Sequence, residues 1–320
     1  MIEHKKQIVI IGSGVIGLTS AYRLLEAGFG VTVLAQTLPP NTTSDVAAAF
    51  WSPSATAGEE RERKWAMASL HTFRGMADEA AAGVAVVDLH QLTQTPHPMP
   101  YLANAGEVRP VAEERFPAPW TGYTVAVPRI DVPVYMPWLV RQVEHMGGQI
   151  RPYIIQRLSE IGPEFPVIVN CTGLGARLLT GDALFPVRGQ VISVQKPKDL
   201  ASDIIYADAD QEETTYIIPR SRDCLLGGTY QYRNGDTTVD PRIAEEILDR
   251  CALFNPALRD VPILQHKVGL RPGRSSVRLE REQLRTGQQV IHNYGHGSIG
   301  HTLSWGCAAD VVTLVQALVG

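Results

Sequence analysis

The sequence predicts an α/β protein in which a parallel, dinucleotide-binding unit is joined to a second domain, and three observations carry that expectation. Residues 7–17, QIVIIGSGVIG, are a β-branched strand running into GxGxxG at Gly12, Gly14 and Gly17, followed by a helical pattern and a second strand, VTVLA. PVIVNCTGLGA, residues 166–176, is another buried strand that meets a glycine turn. The chain has 320 residues, 44% of them hydrophobic, enough for a large core and two domains rather than one.

In a strand–turn–helix of this kind the glycines let the backbone reach a pyrophosphate, which sits at the helix N-terminus where unpaired N–H groups favour an anion. Val15 and Ile16 open that helix, and Gly28 ends it. The second strand ends at Gln36 and Thr37, where a carboxylate would ordinarily accept the ribose hydroxyls. The Gln36 amide oxygen can still accept a hydrogen bond, and no arginine is present there for a 2′-phosphate.

Charge and cysteine usage narrow the function further. A net charge of −4 and an isoelectric point near 6.1 provide no field for a polyanion, so nucleic acid is not an expected partner. Cys171, Cys224, Cys251 and Cys307 are scattered without metal-site or disulfide-framework spacing, which suits a reduced cytoplasmic protein. The start is charged, the apolar run after it continues straight into the glycine turn without a small-residue cleavage site, and no apolar stretch of membrane-spanning length is free of glycine or charge. Neither a signal peptide nor a membrane contact is expected.

After the second strand, Thr42, Thr43 and Ser44 either cap a helix or carry hydroxyls to a ligand, and small residues follow at Ala47, Ala48 and Ala49, then Phe50. Residues 58–83 read as one long surface helix with Trp65, Met67, Leu70, Phe73 and Met76 on its inner side. Residues 84–124 read as irregular, and a strand then turns into a helix capped by Asp131 and ending at Gly147 and Gly148. VRGQVISV begins a further strand system, and TTYIIPR and LLGGTYQY alternate like paired strands, on which Tyr216 is ordinary half-buried packing. Asp240 and Pro241 open a helix running to residue 258.

The last fifty residues gather the cations. Arg271, Arg274, Arg278, Arg281 and Arg285 lie close together, the first two flanking a Pro272–Gly273 turn where the extended chain is expected to bend. A guanidinium suits a carboxylate or a phosphate, which it grips with two parallel hydrogen bonds. Arg271 and Arg274 are three apart in extended chain and face opposite ways, so one serves structure, though the residues alone do not say which. VIHNYGHGSIGHT then leads from a strand through Gly295, Gly297 and Gly300 into a helix near Thr302.

RPGRSSVRLEREQLRTG followed by HNYGHGSIGHTLSWGCA resembles the C-terminal part of the flavin-dependent D-amino acid oxidases. With GxGxxG, TTSDVAAA, NCTG and TYIIPR the resemblance covers most of the chain. It implies FAD as cofactor and a Rossmann-type, discontinuous FAD-binding domain of residues 1–53, 131–186 and 265–320. The substrate domain would be α+β on a mixed or antiparallel sheet, residues 54–130 and 187–264. By that resemblance Gly12, Gly14, Val15, Ile16 and Gly17 hold the diphosphate together with Thr42, Thr43 and Ser44, and Gln36 takes the ribose position. Ala47, Ala48 and Ala49 lie beneath the flavin, with Cys171, Thr172 and Gly173 beside it. The turn through Gly297, Ser298, Ile299, Gly300, His301 and Thr302 contacts it too.

The same resemblance assigns the substrate carboxylate to Arg271 and Tyr216 and the amino group to the Ser298 carbonyl, with Phe50, Glu212 and His301 lining the pocket. Glu212 stands where the animal enzymes have a second tyrosine on a lid. The implied reaction takes a D-amino acid and oxygen to a 2-oxo acid, ammonia and hydrogen peroxide. Asp208, Asp210, Glu212 and Glu213 ahead of Tyr216 favour neutral and basic side chains. Ser298 leaves an acidic-substrate D-aspartate oxidase as the alternative, and a non-catalytic flavin-binding protein is the alternative of another class. His292, His296 and His301 belong to the glycine turn rather than to a metal site, so no metal is expected. A homodimer is compatible with the sequence.

Overall fold

The computed structural model describes residues 6–112, 114–208 and 213–319. In chain order the elements are β1 (Gln7–Ile11), α1 (Val15–Glu26), β2 (Gly30–Ala35), α2 (Thr43–Val46), α3 (Glu60–Met76), β3 (Val84–Thr93), β4 (Val108–Pro110), β5 (Thr121–Ile130), α4 (Val132–His145), β6 (Gln149–Pro152) and β7 (Val167–Asn170). The second half adds α5 (Ala176–Thr180), β8 (Phe185–Val194), β9 (Ile204–Asp208), β10 (Glu213–Pro219), β11 (Cys224–Thr229), β12 (Gln231–Tyr232), α6 (Pro241–Ala252), β13 (Ile263–Gly273), β14 (Arg278–Gln283), β15 (Gln289–Tyr294) and α7 (Gly300–Val319).

Strands without polar alternation need cover on both faces, and β1 and β7 obtain it at the centre of the first sheet. Its order is β14-β15-β7-β1-β2-β6, parallel throughout except for β14 against β15. Ile8 and Ile10 point to one side, into a core with Leu18, Leu24 and Val33. Val9 and Ile11 point to the other, where Leu158, Ile161, Ile168 and Val290 cover them.

The second sheet runs β12-β8-β11-β10-β9-β3-β5-β4, with β13 along the other edge of β8. It is antiparallel apart from the β3–β9 pair, hence mixed. Ile192, Val194, Ile217 and Leu226 face α6 and bury its Ala244, Ile247, Leu248 and Cys251. The opposite face of this sheet looks toward the nucleotide-binding unit.

Several expectations change. The helix expected over 58–83 stops at Met76, and its buried face is Trp65, Ala66, Ser69, Leu70 and Phe73, while Met67 is 36% exposed. Residues 84–124, expected to be irregular, contain the ten-residue strand β3, the short β4 and the first residues of β5, which pairs with β3 along its whole length and whose end is the strand expected ahead of Asp131. Long-range pairing overrides the weak local pattern there. Asp131 is the N-cap of α4 by position, but its carboxylate accepts from the backbone N–H and the hydroxyl of Ser221 and not from its own helix. Pro272 and Gly273 do not turn: β13 continues through both, opposite Pro186 and Phe185, and bends only afterwards. Residues 265–273, grouped by sequence with the nucleotide unit, are thus hydrogen-bonded into the second sheet.

Helix α7 is apolar and long enough to cross a membrane by composition alone, with a mean hydropathy of 1.4, yet half of that stretch is buried inside the protein. It packs against α1 and α3, and Trp65 donates its indole N–H to Asp310 at 2.8 Å. Gly306 permits this crossing, since a Cβ there would lie 2.3 Å from the backbone of Trp65. Gly306→Ala should therefore lower the unfolding free energy by about 2 kcal/mol or more, as overpacked cores do. Gly75→Ala, in α3 with nothing within 4 Å of the added methyl, should raise it by about 0.5 to 1 kcal/mol. Urea midpoints of the two variants check the pair, and equal midpoints would refute the packing argument.

Candidate active site

One cavity of about 760 Å³ extends between the two sheets, with the glycine turn at one part of its wall and Arg271 at another. Its volume lies within the range typical of small-molecule and cofactor sites. At the nucleotide end the turn is packed so closely that side chains cannot be added. Gly12 has φ +109, and a Cβ on it would sit 2.4 Å from the Cys171 carbonyl oxygen; one on Gly17 would sit 1.9 Å from the Gly12 oxygen. Gly14 offers α1 no side-chain cap, and the Val15 N–H donates to Ser44 Oγ at 2.9 Å. Val15, Ile16 and Gln36 line the same wall.

Both readings of the hydroxyl cluster hold at once. Thr42 caps α2, its N–H and hydroxyl both donating to Asp45 Oδ2 at 2.8 and 2.6 Å, while Thr42, Thr43 and Ser44 all line the cavity. Ala47, Ala48 and Ala49 continue that wall. Ala49 holds φ +53, a region L-residues seldom adopt, and the surroundings enforce it. Ile130 donates its N–H to the Ala49 carbonyl at 2.9 Å, and Trp51 donates to Pro128 at 2.8 Å. Phe50 is thereby presented to the cavity, edge-on to Tyr206 at 5.8 Å.

Across the cavity Cys171, Thr172 and Gly173 follow β7. Burial pushes the Cys171 thiol up to about 12, which leaves it protonated and unreactive. The turn after β15 supplies Gly297, Ser298, Ile299, Gly300, His301 and Thr302, all lining. Thr302 accepts at its hydroxyl from the Ser52 N–H, 3.1 Å, and so ties this turn to the segment carrying Ala49 and Phe50.

The arginines separate cleanly. Arg274 pairs with Asp182 at 3.0 Å and donates to the Ser276 carbonyl, and Arg278 is held by Glu280, Glu282 and the Tyr294 hydroxyl. Arg271 lines the cavity and, among the described residues, forms no ion pair. Its Nη1 donates to the Thr229 carbonyl at 3.1 Å, and its guanidinium lies 5.0 Å from the centre of the Tyr230 ring. Gly189 on β8 makes room for it, because a Cβ there would stand 2.3 Å from Nη1. A cation with one neutral acceptor and an aromatic face is incompletely compensated, and an anion completes it.

Tyr216 is buried beside it. Desolvation raises the phenol pKa while Arg271 opposes the rise, so the hydroxyl remains a donor. Gly227 and Gly228 give its ring space, as a Cβ on Gly227 would come within 2.1 Å of Cζ. Tyr206 stacks on it at 6.3 Å with planes 8° apart, the two being register partners of β9 and β10. Tyr206, Tyr230 and Gly189 are cavity residues that the sequence reading passed over. The alternation of IIYAD against TTYII is the signal that would have placed two tyrosines on one face.

His296 and His301 line the cavity, their Nε2 atoms buried and without a hydrogen-bond partner among the described residues, and burial depresses them to about 3 and about 4, so both are neutral imidazoles. His292 lies elsewhere, wholly buried against Glu282. Glu212 lies outside the described residues.

Residues 7–314 match the family model described as DAO, FAD dependent oxidoreductase. The chain is 40% identical to a D-amino-acid oxidase of Rubrobacter xylanophilus over 97% of its own length and 95% of that protein. It is 37% identical to a D-amino-acid oxidase of Streptomyces coelicolor, with 98% of each covered, and 34% identical to human D-aspartate oxidase, covering 98% of this chain and 95% of that one. In fold it is similar to glycine oxidase from Bacillus cereus, with a TM-score of 0.81 at 19% identity over 98% of this chain and 96% of the other. The glycine turn, the uncapped helix and the long cavity fit an FAD, and the chain belongs to this family of FAD-dependent oxidoreductases, with FAD as its cofactor.

Proposed function

We propose that this protein is a D-amino acid oxidase, and the observation that carries the reading is Arg271, a cavity-lining guanidinium that forms no ion pair among the described residues. The names of its full-length relatives support the same activity. Overall, an amino acid, oxygen and water give a 2-oxo acid, ammonia and hydrogen peroxide. The bound FAD would supply the two-electron redox chemistry, an acceptor for the α-hydrogen as hydride and a donor of those electrons to oxygen. The residues to hold FAD are Gly12, Gly14, Val15, Ile16 and Gly17 with Thr42, Thr43 and Ser44 at the diphosphate, and Gln36 at the ribose. Ala47 to Ala49, Cys171 to Gly173 and Gly297 to Thr302 hold the remainder.

Arg271 takes the substrate carboxylate, and the Tyr216 hydroxyl, kept protonated by burial, donates a second hydrogen bond to it. The Ser298 carbonyl accepts from the amino group. With carboxylate and amine both fixed, the α-hydrogen of one enantiomer alone would be presented to the cofactor, so the protein's own residues would work by placement. Neutral His296 and His301 carry no charge that would compete for the carboxylate. Four free, buried thiols support a reducing, cytoplasmic setting.

We further read the pocket as favouring neutral and basic side chains. Asp208 stands two residues from Tyr206, on the same face of β9, and its charge acts on the Tyr206 phenol. Of the other acids in that run, Asp210 and Glu212 lie outside the described residues.

Three measurements test these assignments. Arg271→Ala should lower kcat/KM by at least about a hundredfold, as expected for a lost charge-assisted contact, while FAD stays bound; Gly189→Ala should do part of the same damage by displacing the guanidinium. Near-native turnover in Arg271→Ala would refute the assignment. Gln36→Glu should slow the loss of FAD on dialysis, since an ionised acceptor bonds about twice as strongly as a neutral one, and unchanged or faster loss would overturn the ribose contact. Native enzyme should turn over D-alanine, D-lysine and D-arginine with kcat/KM about fivefold to tenfold above D-aspartate, the effect of one partly desolvated charge. Asp208→Asn should narrow that gap, and a native preference for D-aspartate would end this reading.

A further inference from the structure

Four polar side chains run in contact from the outer strand of the first sheet to the cavity wall, and the mechanism uses only the last of them. Glu282 on β14 is 49% exposed and places Oε2 2.9 Å from Nε2 of His292, whose side chain is fully buried on β15. His292 Nδ1 lies 3.3 Å from Nδ2 of Asn170 on β7, also fully buried. Asn170 Oδ1 accepts from the Thr172 hydroxyl at 2.7 Å and from the Thr172 N–H at 3.3 Å. The parallel pairing of β15 with β7 sets His292 opposite Asn170, so the contact is fixed by sheet register.

Donor and acceptor chemistry gives this chain one direction. The Thr172 backbone N–H can only donate, so the Asn170 atom facing it is the amide oxygen and the amide nitrogen faces His292. That nitrogen only donates, so Nδ1 accepts and the imidazole proton is assigned to Nε2, pointing at the Glu282 carboxylate. The hydrogen bond from His292, and after it Arg278 Nη2 at 3.2 Å from the same oxygen, hold the Glu282 carboxyl below the usual carboxylate range and so ionised. At the other end the Thr172 hydroxyl has committed its single hydrogen to Asn170. Toward the cavity it offers lone pairs alone.

We propose that Asn170, His292 and Glu282 are positioning residues that hold Thr172 as an obligate hydrogen-bond acceptor toward FAD. The inference rests on the reading of this cavity as the FAD site. It specifies the chemistry of the contact: Thr172 meets a hydroxyl or an N–H of the cofactor, and neither a phosphate oxygen nor a carbonyl, which could only accept. An isolated threonine would rotate to serve either kind of partner, and would lose rotational freedom on binding that this chain has already removed.

The test follows FAD release from the holoprotein by the recovery of free-flavin fluorescence on dilution. Thr172→Val and Asn170→Leu should each release FAD about fivefold faster, in line with one lost hydrogen bond. The double variant should be no more than about twofold faster than Thr172→Val, because both changes delete the same contact. Asn170→Asp still accepts from Thr172 and should restore near-native release. Glu282→Leu, at an exposed position that leaves the core intact, should speed release about threefold, and Glu282→Gln, whose oxygen still accepts from Nε2, should stay near native. Additive effects in the double variant, or native release from Thr172→Val or Glu282→Leu, would overturn the relay while FAD still binds. Native protein that binds no FAD would remove the cavity reading and the relay together.

Discussion

An arginine without a carboxylate partner among the described residues, held in the wall between two sheets, is the constraint around which this structure is arranged. A half-buried guanidinium loses part of its hydration, which one carbonyl and one aromatic face replace only in part, so Arg271 is left able to take an anion. The surrounding fold holds it in place. β13 pairs along ten positions of β8, which anchors the backbone of Arg271 on both sides, and Gly189 leaves the space the side chain occupies. Behind the sheet α6 seals the opposite face with Ile247, Leu248 and Cys251, so the strands cannot yield toward solvent.

The nucleotide end obeys a different constraint, the close approach of backbone to backbone. Gly12 and Gly17 stand where a methyl group would meet a carbonyl oxygen at 2.4 and 1.9 Å, distances no side chain tolerates. Such requirements are local in sequence, which is why the strand, the glycine turn and the small residues at 47–49 could be read directly from the chain. The fate of Arg274 and Arg278 was less local. Both are neutralised by acids, and Asp182, which pairs with Arg274, is some ninety residues away.

What the sequence hid was set by long-range pairing. VAVVDLHQLT looks unremarkable among prolines and only the end of TGYTVAVPRI reads as a strand, yet the two match residue for residue from Val84↔Ile130 to Thr93↔Thr121 and lie toward the β4 edge of the second sheet. Pro272 and Gly273 carry a turn signature that the register with β8 overrides, since the strand continues to Gly273 opposite Phe185. Met67 falls outside the buried face because α3 is packed by α7 on the stripe of Trp65, Ala66, Ser69, Leu70 and Phe73. Tyr206 escaped notice for a related reason: its importance comes from lying opposite Tyr216 across two strands, a neighbour ten residues away in the chain.

On the proposed reading the two ends of an amino acid are handled by different parts of the chain, and stereochemical discrimination needs their separation to be fixed. Arg271 belongs to the second sheet, whereas Ser298 sits in the turn that leads from the first sheet into α7. A backbone hydrogen bond joins them: the Gly297 N–H donates to the carbonyl of Pro272 at 3.1 Å, and these two are the immediate neighbours of Ser298 and Arg271. The positive φ of Gly297, +51, is what turns its N–H and the following carbonyl onto this course. Thr302 adds a second tie, from α7 to Ser52 and so to Phe50. Arg271, Ser298 and Phe50 are thus tied through their neighbours, so on the proposed reading a change in the angle between the sheets would disturb the holders of carboxylate and amine and the pocket wall together instead of loosening one contact at a time.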